Sequence, residues 1–147
     1  MLETASESSI ARPHLPVWIY EAFVRTASEA IIVVDHEGVI QLWNHGAEQL
    51  FGYAPAEMLG APLDAIIPER LRAAHNAGFR RAVDSGTTKY QGKVMNTRAV
   101  HKNGTKLYVD LSFSLLIDRE GRVAAVAAVG RDSTERYRAE AKAQRAT

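Results

Sequence analysis

Residues 106–115, KLYVDLSFSL, alternate apolar and polar side chains without a break. Leu107, Val109, Leu111, Phe113 and Leu115 share one face, and Tyr108, Asp110, Ser112 and Ser114 share the other. A period of two specifies a strand, because the apolar positions of an amphipathic helix recur every three or four residues. A lone strand of this kind leaves its backbone polar groups unpaired and its apolar face in water. The rest of the chain must therefore supply partner strands and a cover.

Partner strands are legible on both sides. Residues 93–100 alternate and lead into the turn signal Lys102-Asn103-Gly104, while Asp118-Arg119-Glu120-Gly121 turns the chain into RVAAVAAVG, built almost wholly of Val, Ala and Gly. Upstream, AIIVVDHEGVIQLWN splits into two β-branched runs, 30–34 and 39–43, around Asp35-His36-Glu37-Gly38. The cover falls between the second and third strands. Asn44 stands as an N-cap ahead of the apolar face Ala47, Leu50 and Phe51, and Gly52 stops that helix. Residues 55–60 add one turn, Pro62 and Pro68 bracket a connector, and a long helix spans 69–84 before Ser85-Gly86. The pattern predicts an α+β domain, a five-stranded antiparallel sheet with helices on one face.

Helices are expected on both flanks. Ile19, Tyr20, Phe23 and Val24 recur at near-helical spacing, and STERYRAEAKAQRAT is a strong helix former. The organisation is thus a mobile leader over 1–16, a flanking helix over 17–27, the domain over 28–132 and a C-terminal helix over 133–147. With 147 residues the chain has room for one core and not for a sensor with a separate output domain, so an output partner is expected elsewhere, separate or fused.

Composition excludes several classes. Net charge is +1 with both signs interspersed, which argues against a nucleic-acid surface or a polybasic membrane patch. Cysteine is absent, so disulfides, thiolate nucleophiles, cysteine metal sites and flavin–cysteinyl photochemistry are all ruled out. No apolar run approaches the roughly 20 residues of a membrane span and no signal peptide is evident, so a cytoplasmic protein is expected. Asp110 and Asp132 read as isolated carboxylates. No Ser/His/Asp arrangement, phosphate-binding glycine loop or kinase signature is present, and an enzyme is not expected.

The stretch RLRAAHNAGFRR puts Leu71, Ala74, Gly78 and Phe79 on one stripe of the long helix, with His75 inside it. His14, His36, His45 and His101 form no metal-ligand spacing with one another.

The order of elements resembles the PAS sensor domains, and so do particular residues. These are EAIIVVDHEGVIQLWN, Asn44 with Ala47, LFGY with Glu57 and Gly60, the HKNG turn, and GRDSTER with Arg131, Asp132 and Thr134, together covering about residues 24–136. Within that family, IIPERLRAAHNAGFRRA resembles the long helix of the haem-binding sensors of the FixL and direct-oxygen-sensor type, in which IPxxxRxxH carries the haem-ligating histidine. The resemblance implies haem b as cofactor, with His75 as proximal iron ligand and Arg81 as the partner of a haem propionate. A neutral imidazole aimed from a helix across an apolar slot is a good axial ligand. It also makes an ordinary core histidine when a backbone carbonyl accepts its N–H.

A flat cofactor needs an apolar wall and small neighbours. Val109, Leu111 and Phe113 supply the wall, and Val126, Ala128 and Gly130, by alternation, the small side. Tight ordinary packing would use the same residues. Where the FixL pattern has an oxygen-stabilising arginine, this chain has Met95, which shares a strand face with Thr97 and Ala99. Its soft thioether makes it a candidate distal ligand, or else a core gap-filler. Two functions follow: a haem-based sensor of a diatomic gas (O2, CO or NO) or of redox state, signalling through its flanking helices, and a cofactor-free or small-metabolite PAS module acting by protein–protein contact. In either case a homodimer is expected through Trp18, Ile19 and Phe23 of the N-terminal helix.

Overall fold

The structure is a computed structural model that describes residues 14–146. Most of the expected leader, residues 1–13, lies outside them, as does Thr147. In chain order the elements are α1 (Val17–Thr26), β1 (Ala30–Asp35), β2 (Ile40–Trp43), α2 (His45–Phe51), α3 (Pro55–Met58), two 3-10 turns (Leu63–Ile66 and Glu69–Leu71), α4 (Arg72–Ser85), β3 (Val94–Val100), β4 (Lys106–Ile117), β5 (Val123–Asp132) and α5 (Thr134–Ala146). No helix among the described residues is long and apolar enough to cross a membrane.

The five strands form one antiparallel sheet in the order β2-β1-β5-β4-β3. This order is what joins the alternating patterns into one surface. Ala30, Ile32 and Val34 are the buried side of β1, and they pair with Gly130, Ala128 and Val126 of β5. Those pair in turn with Leu111, Phe113 and Leu115 of β4, and Leu111 pairs with Met95 of β3. Directly paired residues of an antiparallel ladder project to the same side, so all of these share the inner face.

At one end the inner face is closed. Ile32, Ile40, Trp43, Phe51, Met58, Ile66, Leu107 and Val109 are buried in one cluster. Trp43 and Phe51 meet with ring centroids 5.5 Å apart, and the Trp43 indole N–H donates to the Tyr53 carbonyl. Asn44 is much more than the expected cap. Its Oδ1 accepts from the N–H of Ile31 and of Ala47, and its Nδ2 donates to the carbonyls of Val24, Ala27 and Glu29. One buried amide thereby fastens α1, the edge of β1 and the start of α2 together. Gly46 lets α2 approach that closely, since a Cβ there would run into the Glu29 carbonyl.

The long helix differs from expectation in its start. Residues 69–71 form a 3-10 turn and the α-helix begins at Arg72. Pro68 caps that turn and holds Ile67 extended, and a 3-10 turn advances three residues rather than 3.6. That change of phase moves the inward stripe. It runs through Arg72, His75, Gly78, Phe79, Ala82 and Val83, all half-buried, and Ala74, expected inside it, is exposed.

Candidate functional site

His75 keeps its place in the stripe, and its surroundings are specific. Its only hydrogen bond among the described residues runs from Nδ1 to the Asn76 amide oxygen, at 3.3 Å. No backbone carbonyl takes its ring N–H, so the arrangement of an ordinary core histidine is not the one seen.

The strands place the other expected residues on one surface. Met95, Val109, Leu111, Phe113, Val126 and Ala128 lie on the inner face by register. Val109 is fully buried, whereas Met95, Leu111, Phe113, Val126 and Ala128 are half-buried. Apart from Thr97 these strands present an apolar inner face, closed along β1, where Ala30, Ile32 and Val34 are buried, and at Val109. Gly130 gives the wall its shape, because a Cβ there would collide with the Asp110 carbonyl and with the Leu111 side chain that leans over it. The one hydroxyl on this part of β3, that of Thr97, donates to the Val109 carbonyl at 3.0 Å.

Arg81 is exposed on α4. Its Nη2 is 3.7 Å from where a Cβ on Gly78 would stand, so the guanidinium lies back along the helix toward the His75 turn rather than in the wall. An open cleft of about 580 Å³ lies elsewhere, lined by residues such as Ser28, Gly46, His101 and Gly130 and rimmed by the Arg131–Glu29 ion pair. It includes neither His75 nor Met95.

Two features escaped the sequence. Arg72 donates from Nε to the carbonyls of Asp64, at 3.0 Å, and Ile67, at 3.1 Å, tying the start of α4 to the preceding turn. Asp110, read as isolated, is the centre of a network on the outer face. Asn96 donates to its Oδ1 and to Ser133 Oγ, and Arg136 of α5 pairs with its Oδ2 at 2.7 Å. Tyr108 stacks on Tyr137 at 3.8 Å, and its N–H donates to Thr134 Oγ1. The first turn of α5 is thus fastened to β3 and β4 directly behind Met95. Strand alternation alone could have shown that Asn96 and Asp110 share a face; the position of Arg136 depends on how α5 leaves the sheet.

The donor set limits what could bind at His75. No group of three or more His, Cys, Asp or Glu side chains that could hold a metal ion occurs among the described residues. A metal carried in an organic macrocycle needs only one or two protein donors and an apolar slot, which is the chemistry that His75, Met95 and the inner face offer.

Comparison with known proteins agrees with this fold. The family described as the PAS fold matches residues 24–138, and the chain belongs to that family. DosP, the oxygen sensor protein of Escherichia coli (strain K12), is 28% identical over 104 residues, covering 71% of this chain and 13% of DosP. The sensor protein FixL of Bradyrhizobium diazoefficiens is 27% identical over 123 residues, covering 84% of this chain and 24% of FixL. This chain therefore spans only a small part of either relative. Among solved structures, the PAS domain of a protein from Colwellia psychrerythraea superposes with a TM-score of 0.70 at 20% identity, covering 81% of this chain and 98% of that one. An RNA-binding Light-Oxygen-Voltage receptor gives 0.66 at 24% identity, covering 86% and 38%. At these identities the structural likenesses show the fold alone.

The network at Asp110 makes a pH prediction. The Asn96 hydrogen bond, followed by Arg136, holds the Asp110 carboxyl below its ordinary range. A carboxylate with a lowered folded pKa stabilises the fold above its unfolded value of about 3.9 and loses that contribution as pH falls through the folded value. Asp110→Asn should cost about 1 kcal/mol at neutral pH, a cost that shrinks as the pH falls below the unfolded value and through the folded one, as measured by urea denaturation across that range.

Proposed function

We propose that the chain is a haem-binding sensor module that detects a diatomic gas, O2, CO or NO, or the redox state of the iron. The observation that carries this reading is His75, half-buried on α4 on the stripe that includes Phe79 and, among the described residues, hydrogen-bonded to no backbone carbonyl. The two relatives support it by what they are named, an oxygen sensor protein and a sensor protein. The absence of cysteine separates it from flavin–cysteinyl chemistry on the same fold.

Haem, when bound, would supply an iron able to bind a diatomic gas. The protein's part is to hold and to discriminate. His75 is the proximal ligand, and Val109, Leu111, Phe113, Val126 and Ala128 form the apolar wall that keeps water out. Arg81, exposed beside the His75 turn, meets a propionate at the rim. Met95, on the edge strand, is the candidate distal ligand. If Met95 served only as wall, the pocket would offer no free hydrogen-bond donor, because the Thr97 hydroxyl is engaged, and would favour CO or NO over O2. Output runs through α5, whose first turn is fastened to the strand that carries Met95.

Dimerisation belongs to this reading and equally to a cofactor-free one. Trp18 and Phe23 of α1 are 66% and 72% exposed, whereas Ile19 is half-buried against its own domain. A second copy of this chain is the proposed occupant of that aromatic face, in line with the size of the apolar surface left in water.

Protein mixed with haemin should develop a Soret band that His75→Ala greatly weakens. Arg81→Ala should keep the band and release haem faster to a scavenging protein. An unchanged spectrum in His75→Ala removes the assignment. For the dimer, Trp18→Glu with Phe23→Glu should shift sedimentation to monomer at tens of micromolar without altering any Soret band. A parent already monomeric at that concentration contradicts the interface.

A further inference from the structure

We infer that Arg72 is the residue that positions His75, an inference that rests on the haem reading and deepens it. The N-terminal half of α4 has little else to hold it. Leu71 makes no side-chain cap, the first turn carries no acidic residue, and no residue of the helix is buried. An ordinary helix start is secured by a capping side chain or by buried contacts, and this one has neither.

What secures it is one N–H. Arg72 Nε lies 3.0 Å from the Asp64 carbonyl and 3.1 Å from the Ile67 carbonyl, so a single hydrogen is shared between two acceptors. The Asp64 carbonyl also accepts from the Ile67 N–H that closes the 3-10 turn. That turn is itself fixed, because Ile66 is buried in the core. Arg72 thereby connects the first residue of α4 to the rigid part of the molecule. The second holding point is Phe79, which packs against the core cluster and whose ring lies 3.6 Å from where a Cβ on Gly38 would stand, in the β1–β2 turn.

His75 stands between the two on the same stripe, three residues after Arg72 and four before Phe79. That is about 4.5 Å and 6 Å along the axis. With both points held, the imidazole approaches or leaves the sheet wall only if the helix bends. With Arg72 released, the helix pivots on Phe79 and His75 is on the arm that swings. Charge alone does not reproduce the contact. A lysine keeps the charge but lacks a planar N–H at the ε position that can face two carbonyls at once.

The test uses Arg72→Gln and Arg72→Lys, with Arg70→Gln as the control, since Arg70 is exposed on the turn before α4. In cofactor-free protein, Arg72→Gln should speed amide exchange over residues 72–78 by roughly fivefold or more and leave β4 and β5 at parent rates. Parent rates throughout would overturn the inference. After loading with haemin, the parent and Arg70→Gln should each show one coordination spectrum. Arg72→Gln should show a mixture with faster haem loss, and Arg72→Lys should lie nearer to it than to the parent.

Free imidazole separates positioning from mere support. In a His75→Gly background, added imidazole should restore ligation to the same extent with and without Arg72→Gln, because an untethered ligand does not need the helix in place. A weaker rescue with Arg72→Gln would mean that Arg72 only keeps the slot open, and the positioning role would fall. If the parent takes up no haemin, the haem reading fails on its own, and amide exchange still decides whether Arg72 holds the helix.

Discussion

The register of β4 is the constraint on which the rest of the structure depends. This strand pairs with β3 on one side and β5 on the other, so its alternation is imposed on three strands at once. Leu111 sets Met95 and Gly130 beside it, and Phe113 sets Ala128. A slip of one residue in β4 would turn Leu111 and Phe113 to the outer face and bring Ser112 and Ser114 inward. It would also carry Asp110 away from Arg136 and Asn96, which hold α5 from the other side. One ladder of backbone hydrogen bonds therefore determines both the wall of the slot and the attachment of the helix that leaves it.

The sheet and the helix that carries His75 are built to different standards. The sheet side is a continuous ladder that ends in the packed cluster around Trp43, Phe51 and Val109. The helix side is held at Arg72 and Phe79 and buries nothing completely. Elements with few buried contacts open and shift more readily than cores. On the proposed reading, a cofactor between sheet and helix would meet one wall that stays and one that gives, with His75 on the one that gives. Behind the fixed wall, Asn96 and Asp110 connect the edge strand to the first turn of α5 within a single residue of Met95.

The sheet was legible in the sequence because period-two alternation and glycine turns are local signals. The inner-face set Met95, Leu111, Phe113, Val126 and Ala128 followed from alternation alone, and the pairing brings it together. The start of α4 was less legible. Pro68 and the apolar spacing suggested a helix from residue 69, but the 3-10 turn changed the phase and exchanged Ala74 for Arg72 in the stripe. The bonds of Asn44 to Ile31, Val24, Ala27 and Glu29 and the Arg136–Asp110 pair link residues far apart in the chain, and those of Arg72 depend on how the preceding 3-10 turns fold back. No local pattern encodes them, since each depends on where a second element comes to rest. The part proposed for His75 rests on the family resemblance together with its half-buried position on α4.

The central claim is that His75 and the inner sheet face enclose one iron-bearing cofactor. Anomalous diffraction at the iron edge from crystals grown with haemin tests it most directly. The account predicts a single strong peak within bonding distance of a ring nitrogen of His75, on the side facing Leu111 and Phe113. A peak at His36, His45 or His101, or one in the cleft beside Ser28 and Gly46, would contradict it.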